Sequence, residues 1–438
     1  MKKTLLLTSL VASMVAMAGT TGSVEGYNEN EANFEKGKPA TFVAKKTGVK
    51  TEVKVNGTGF SFGGDFKAED LSLDHIETAK FLDHSKVWAK YELPELKGVK
   101  SYVQATAEPK FIGTDTDKGS AELEGQVSYK YDTLTFGLNS KTNFPFAKEV
   151  NKDYSEKVKS THKVFVESEK DKDVFVKGLK DVKANVEVKH DYRKLAENHK
   201  AAEAVDYVSG EVSAKYDAVK DLELEGKVAF KKSISVKNVG DYEVLGTKLF
   251  AKEVEAEYIH SYELKGTYKG VKHLTLSAKP FVAHVNISKD EHGRKDNVLY
   301  GVELGAEYKM LNDKLTLTGK SLLAGVHKID TQAQTKEKSG HFVFDANAKY
   351  DYSVTDKFTV SPEANANLEL EVTKPANVLV TKPTLTLTPK VSAEYKPTDT
   401  LTLKGSVEAP VKFGENNNKF EYLQTQLKTS LNLKYEWK

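Results

Sequence analysis

Charged side chains occur at every second position in several stretches of the chain. In one of them Glu122 and Glu124 alternate with Ala121 and Leu123. Side chains of a β-strand point alternately to its two faces, so each stretch predicts a strand with one charged and one apolar face. Rows of carboxylates and ammonium groups can hold water and mobile ions, and we therefore predict that they line a pore. The predicted pore-lining residues are Glu122, Glu124, Lys130, Glu223, Glu225, Lys227, Glu255, Glu257, Lys265, Glu363, Glu369, Glu371, Lys404 and Glu408.

Catalytic chemistry has less support in the sequence. The chain has no cysteine and no H-E-x-x-H motif. His260 and His284 lie within predicted strands as isolated histidines, and Asp115 and Asp117 lack the spacing of an EF-hand loop for calcium. We therefore predict a protein that is not an enzyme and has neither a catalytic nor a metal site nor a cofactor. A hydrolase site assembled from Ser, His and Asp of separate strands is the alternative.

The strands that carry the charges are long. Thr384–Phe413 predicts two such strands around a turn at Lys396–Asp399. On the first strand, Leu385, Leu387 and the later residues of the same phase lie on one face. Each strand has about a dozen residues, whereas strands of globular proteins have roughly 5–6 and a tilted bilayer span needs about 9–11. Such a strand suits a wall with lipid on one side and water on the other.

Composition agrees with such a wall. Of the 438 residues, 39% are hydrophobic and 29% charged, with 65 Lys and Arg against 63 Asp and Glu. This balance gives no reason to expect nucleic acid as a partner. Lys2 and Lys3, an apolar stretch and Ala16-Met17-Ala18 predict a cleaved signal peptide over 1–18. Residues 19–49 predict a polar N-terminal extension, and residues 50–438 the transmembrane β-barrel.

Aromatic residues mark one end of the predicted strands. A tyrosine stands just before many of the short turns, which are rich in Asp, Asn, Gly and Pro. Aromatic rings at one rim of a barrel form a girdle at the membrane interface, because the ring is apolar and the hydroxyl stays hydrated. The predicted girdle is Tyr131, Tyr216, Tyr268, Tyr308, Tyr352, Tyr395, Tyr435 and Trp437.

The last strand, Phe420–Lys438, resembles the terminal strand of Gram-negative outer-membrane β-barrel proteins of the porin type. It alternates Leu431, Leu433 and Tyr435 with polar residues and ends on Trp437, one residue before Lys438. The resemblance implies an all-β, antiparallel, up-and-down transmembrane β-barrel with short periplasmic turns and long extracellular loops. We expect about 18 strands, with 16 as the second choice. The resemblance also implies outer-membrane lipid and the barrel-assembly machinery as partners, and a homotrimer as an oligomeric form.

In porins an inward-folded loop narrows the channel, and Asn143–Asp171 has the corresponding position. Its constriction candidates are Glu149, Asp153 and Glu156. An external loop, or an extra hairpin through Val164–Glu167 and Val174–Val176, explains this segment equally well. Tyr192–Ala204 contains helix-forming residues and predicts a short helix in a loop.

The preferred function is that of an outer-membrane porin, a water-filled channel for passive diffusion of ions and small hydrophilic solutes. A closed structural or adhesive barrel that acts through its extracellular loops is the alternative. A secreted fibrous β-protein would need a fixed short repeat, and the spacing of the strand pairs is irregular.

Overall fold

The computed structural model is a closed ring of antiparallel strands. It describes residues 19–72, 85–109, 119–146, 158–192, 205–234, 243–244, 247–248, 258–290, 293–330, 335–373, 380–416 and 419–437. The strands are β1 Thr20–Glu35, β2 Thr41–Val55, β3 Phe60–Ser72, β4 Lys86–Leu96, β5 Val99–Pro109, β6 Gly119–Tyr131, β7 Leu134–Pro145, β8 Val158–Ser168, β9 Leu179–Tyr192, β10 Val205–Tyr216, β11 Leu222–Ser233, β12 Glu243–Val244, β13 Thr247–Lys248, β14 Tyr258–Val271, β15 Leu274–Asp290, β16 Gly293–Met310, β17 Leu315–Asp330, β18 Thr335–Tyr350, β19 Tyr352–Thr355, β20 Phe358–Thr373, β21 Val380–Thr398, β22 Leu401–Glu408, β23 Val411–Asn416 and β24 Lys419–Trp437.

The ring has 20 wall strands. Strands β12 and β13 form a separate hairpin. Strand β19 continues β18 beyond Asp351, and both pair with β20. Strands β22 and β23 are one wall strand interrupted at Ala409 and Pro410, because proline has no backbone N–H to donate to the ladder.

The first and last strands close the ring. Strand β1 pairs with β24 from Gly22↔Trp437 to Glu35↔Gln424, and with β2 on its other side. A closed ring leaves no unpaired sheet edge, as a membrane-spanning sheet requires. The prediction of an all-β antiparallel barrel is confirmed.

The N-terminal part of the prediction differs from the structure. Strands β1 and β2 lie where the sequence predicted a polar extension over 19–49. The alternation of apolar and polar residues is weak in β1 because Gly26, Asn28 and Asn30 stand at every second position. In the register these residues lie opposite Leu433, Leu431 and Thr429 of β24. The predicted strand number of about 18, or 16, is therefore wrong. The predicted signal peptide, residues 1–18, lies outside the described residues.

The segment Asn143–Asp171 contributes its first residues and the stretch from Val158 to Ser168 to the wall. Strand β7 continues to Pro145, and β8 begins at Val158 and includes Val164–Glu167. Val174 and Val176 form only an isolated bridge in the turn before β9. The constriction candidates Glu149, Asp153 and Glu156 lie outside the described residues, as do Asp115, Asp117 and residues 193–204 of the predicted helix.

Short turns gather at one rim of the barrel. Lys97, Asp132, Asp221 and His273 have positive φ angles of 49°, 54°, 61° and 63° in these turns. Left-handed backbone is favoured by Asp, Asn and Gly, which explains the composition of the turns. Both Thr20 and Trp437 lie at this rim, which we call the short-turn rim. The other connections join strands at the opposite, long-loop rim.

In the described part of the chain no helix has the length and apolar character to span a membrane.

Candidate functional site: the barrel interior

The two faces of the wall differ in chemistry. Leu123, Val127 and Tyr131 of β6 are 49%, 53% and 66% exposed, and the same phase of the other strands carries exposed Val, Leu, Phe and Tyr side chains. A continuous exposed apolar surface is expected where a barrel meets lipid. We therefore assign this phase to the outer face, and the alternate, polar phase to the inner face.

The register places the described members of the predicted pore-lining set on the inner face. Glu122 and Glu124 alternate with outer Leu123, and Glu223 and Glu225 alternate with outer Leu224. Lys130, Lys227, Lys265, Glu363, Glu369, Glu371, Lys404 and Glu408 have the same phase on their strands. Glu255 and Glu257 lie outside the described residues. Contact with pore water stays a prediction.

Many inner charges are paired across neighbouring strands. Lys141 Nζ lies 2.8 Å from Glu122 Oε1, and Lys227 Nζ lies 2.7 Å from Glu211 Oε2. Lys404 Nζ lies 2.7 Å from Glu394 Oε2. Solvated pairs of this kind stabilise a fold by about 0–1 kcal/mol each, so their importance lies in the local field that an ion meets.

Inward tyrosines join these charges into networks that the sequence prediction missed. The Tyr102 hydroxyl donates to Glu124 Oε1 at 2.6 Å, Asn139 donates to the same oxygen at 2.8 Å, and Lys90 Nζ lies 4.2 Å from the Tyr102 ring centroid. Near the seam, Tyr27 donates to Asp65 Oδ1 at 2.6 Å. Tyr102 shares its phase with Gln104 and Thr106, so the period-two pattern contained the signal.

Two lysines flank an inner tyrosine on β9 to β11. The Tyr207 ring of β10 has Lys231 Nζ 4.3 Å and Lys189 Nζ 5.4 Å from its centroid. Lys163 lies opposite Glu187 in the register. The inner face of β20 is acidic, with Glu363, Glu369 and Glu371 on one phase. The interior therefore presents both signs of charge.

One part of the inner face is apolar and packed. On β15 to β18, inner residues Phe281, Ala283, Leu299, Leu322 and Val343 are at most 6% exposed, and Leu299 and Leu322 are fully buried. Tyr207 and Ile259 pack against this cluster, which also contains Val285, Ala324 and Val326. Side chains facing open water would not be buried to this extent. This sector of the interior is closed to solvent.

Two carboxylates near the short-turn rim are held in their charged form: Glu169 in the turn after β8, and Asp351 at the break between β18 and β19. The pKa of Glu169 is lowered because Lys130 donates a hydrogen bond to it and also lies close as a positive charge. The pKa of Asp351 is lowered because the Ser361 hydroxyl and Lys349 both donate hydrogen bonds to it. The first contact connects a turn residue to β6, and the second connects the break between β18 and β19 to β20.

The predicted girdle residues share the outer face near this rim. Tyr131, Tyr216, Tyr268, Tyr308, Tyr352, Tyr395 and Tyr435 are 38–66% exposed. Trp437 stacks on Tyr435 with ring centroids 6.4 Å apart, and its Nε1 donates to Thr20 Oγ1 at 3.3 Å. The arrangement suits a membrane interface, and contact with lipid stays a prediction.

The segment Gly59-Phe60-Ser61-Phe62-Gly63 matches the G-x-S-x-G pattern of hydrolases. That chemistry needs a sharp turn from a strand into a helix. Ser61 instead lies within β3, between Lys54 of β2 and Lys90 of β4. The segment therefore lacks the nucleophile elbow. No group of three or more His, Asp or Glu in the described residues has the geometry to hold a metal ion.

Fold and inner face together define the class: a closed antiparallel barrel with an apolar outside and a charged inside. No protein-family model and no curated protein matches the sequence. Among solved structures, the chain is similar to OccAB3 of Acinetobacter baumannii, with 9% identity, 96% of this chain and 100% of that chain covered, and a TM-score of 0.44.

Two further similar structures are outer-membrane proteins. The outer membrane channel DcaP of Acinetobacter baumannii has 13% identity, covers 96% of this chain and 99% of its own, and has a TM-score of 0.38. OmpT, an outer membrane protein of Vibrio cholerae in its trimer form, has 11% identity, 96% and 100% coverage and a TM-score of 0.37. We rest no functional step on scores this low.

Proposed function

We propose that this protein is an outer-membrane porin, a channel for passive diffusion of ions and small hydrophilic solutes. The observation that carries the proposal is the closed ring of 20 strands with charged residues of both signs on its inner face. Strands about 4.8 Å apart and tilted by about 40° give such a ring a backbone radius of roughly 20 Å. Barrels of about 16–18 strands already enclose an aqueous channel.

The passage would lie beside the polar sectors. The apolar cluster of β15 to β18 closes one part of the interior, so the open cross-section is smaller than the ring. The inner face of β20 is acidic, whereas Lys189 and Lys231 beside Tyr207 would offer anions a local basic site. Because both signs are present, we expect modest ion selectivity.

Single-channel conductance in a planar bilayer tests the proposal. We expect stepwise, ohmic openings, and reversal potentials in a salt gradient that give the selectivity. The variant Glu363→Gln/Glu369→Gln/Glu371→Gln should shift the permeability ratio towards anions. The matched variant Thr384→Ala/Thr386→Ala on neighbouring β21 should leave the ratio unchanged. A protein that inserts into the bilayer and shows no conductance refutes the porin proposal.

The buried cluster of β15 to β18 favours a second candidate, the closed structural or adhesive barrel. In that case packing would extend across the interior and the loops would carry the function. Silence in the bilayer together with binding of the purified protein to host-cell surfaces would support it. A protein that neither conducts ions in the bilayer nor binds host-cell surfaces would refute both functions.

Export and membrane insertion belong to the same proposal. We infer cleavage of a signal peptide after Ala18, just before β1 begins at Thr20. Amino-terminal sequencing of the outer-membrane fraction tests this directly: Gly19 as the first residue is expected, and Met1 would contradict it. The Trp437 end of β24, which closes the barrel, would be the signal for the assembly machinery.

A further proposal is a homotrimer that associates through the outer face around β1. Asn28 there donates to Thr47 Oγ1 at 2.7 Å, and Asn30 donates to Thr429 Oγ1 at 3.3 Å. Amides are costly against lipid and suit a protein contact.

Two glycines give a matched test of this contact. A Cβ at Gly26 or at Gly226, on the outer face of β11, would meet nothing within 4 Å. Gly26→Trp should therefore fold and shift the native mass from trimer to monomer, whereas Gly226→Trp should stay trimeric. Equal masses for the two variants would refute the interface, and a monomeric parent protein would refute the trimer.

A further inference from the structure

Three histidines form a row across the outer face at the long-loop end of the wall. His260 of β14 lies opposite His284 of β15, His284 lies opposite Val298 of β16, and Val298 lies opposite His327 of β17. Directly opposed residues of an antiparallel pair share a face. His260 and His284 share the phase of exposed Tyr262 and Val282, and His327 shares that of exposed Leu323, although its Nε2 atom is buried.

Lysines extend the row at both ends. Lys232 of β11 lies opposite Tyr258, two residues from His260, and Lys338 of β18 lies opposite His327. Lys232 and Lys338 are exposed. We call the set Lys232, Tyr258, His260, His284, Asp296, His327 and Lys338 the histidine row.

The height of the row follows from the register. His260 is about eight residues along β14 from Tyr268, and Val298 is about ten residues along β16 from Tyr308. At about 3.3 Å per residue and a tilt of about 40°, this is roughly 20–25 Å along the barrel axis. The lipid-facing apolar band of such barrels is about 25 Å tall. With the tyrosines at one interface, the row lies at the other.

We propose that the histidine row binds the phosphate-bearing headgroups of lipids in the leaflet at the long-loop rim. The inference rests on the proposed membrane location, and it is independent of whether the channel is open. Within the row as defined, two lysines and three histidines face the carboxylate of Asp296. This carboxylate is engaged within the protein: His284 Nε2 lies 3.1 Å from Asp296 Oδ1, and Asn286 Nδ2 donates to the same oxygen at 2.9 Å.

The proposal includes a pH dependence. Histidine is the side chain that takes up a proton between about pH 8 and pH 5, so the positive charge of the row increases as pH falls. Asp296 lies beside His284, Lys232 lies near His260, and Lys338 lies opposite His327. The Tyr258 ring contacts both His260 and His284, with centroids 5.0 and 5.5 Å apart. Binding of anionic headgroups should therefore strengthen towards acid pH.

Native mass spectrometry of the detergent-solubilised barrel tests the proposal with phosphatidylglycerol and phosphatidylcholine as probes. We expect retention of phosphatidylglycerol over phosphatidylcholine by roughly tenfold at about pH 5.5, and less at about pH 8. His260→Gln/His284→Gln/His327→Gln should lose the pH-dependent part of this preference. Lys232→Gln/Lys338→Gln, which changes only exposed side chains, should lower the preference at both pH values.

The matched control is His273→Gln/His341→Gln, because His273 lies in a short-turn loop and His341 on the inner face. It should behave as the parent protein. Equal headgroup preference in all folded variants would overturn the proposal, and so would displacement of the lipid by inorganic phosphate alone, which would indicate a simple anion site. The conductance measurement is separate: a silent barrel with an intact headgroup preference refutes the porin and leaves this inference standing.

Discussion

The apolar cluster on the inner face makes the sharpest prediction, because an open lumen and a packed interior demand opposite results from one substitution. Leu322 is fully buried on the inner face of β17. In an open lumen Leu322→Asn would place an amide in water at almost no cost. In a packed interior the substitution removes buried methyl groups and buries an amide.

The magnitude can be worked out from these contacts. Removing a packed leucine side chain costs about 2.7–5.0 kcal/mol. An amide without a partner adds about 1–3 kcal/mol. Relaxation of the site offsets part of the sum, so we expect Leu322→Asn to lower the free energy of unfolding by about 4 kcal/mol. Thr318→Asn, on the same face nearer the short-turn rim, should change it by less than about 0.5 kcal/mol.

Urea unfolding in lipid vesicles, followed by the mobility difference between folded and unfolded protein on gels, measures both variants. A loss below about 1 kcal/mol for Leu322→Asn would refute the packed interior. It would then follow that the cluster of β15 to β18 faces water. The single-channel conductance of the same variant supplies a second readout, since loosening the cluster should increase it.

Three further predictions concern the inner networks and the rim. Tyr102→Phe leaves Glu124 with one hydrogen bond fewer and should cost about 1 kcal/mol in urea unfolding, while Tyr129→Phe on the outer face of β6 should cost less. Gly63→Ala should destabilise the barrel, or force β3 and β4 apart, because the new Cβ would clash with the Thr51 carbonyl and lie 2.8 Å from the Trp88 ring. A melting temperature equal to that of Gly226→Ala would contradict this prediction. The lowered pKa of Asp351 stabilises the fold above the ordinary aspartate pKa, and this contribution is lost as pH falls through the lowered value. Asp351→Asn should therefore lower stability at neutral pH and equal the parent protein at strongly acid pH, and a difference that persists in acid would refute the assignment.

The period-two pattern was sufficient to predict the wall wherever its outer face carries apolar side chains. Strands such as β6 and β20, with Leu123 or Leu370 between charged residues, follow the rule that a one-residue slip would turn charges to the outer face. The rule failed at β1, where Gly26, Asn28 and Asn30 stand on the outer face. A strand that does not need an apolar face leaves no alternation, and the missing strands made the predicted number too low.

The interior was harder to predict than the wall, for a related reason. Inner charges such as Glu124 could be assigned by phase alone, but their partners Tyr102 and Asn139 come from neighbouring strands whose register the sequence does not state. The apolar inner cluster was missed because Leu322 and Leu323 are adjacent leucines, one facing inward and one outward. A run without alternation hides which face is buried.

The absence of alternation in β15 to β18 also explains why the barrel can be closed in one sector and polar elsewhere. A strand with both faces apolar must bury both, one against lipid and the other against protein. Ala283, Leu299 and Val326 are buried on the inner side, whereas Tyr300 and Leu323 are exposed on the outer side. These strands are therefore the side of the wall whose inner face is packed. The charged strands β6, β11 and β20 bury neither face completely, and any passage for ions must follow them.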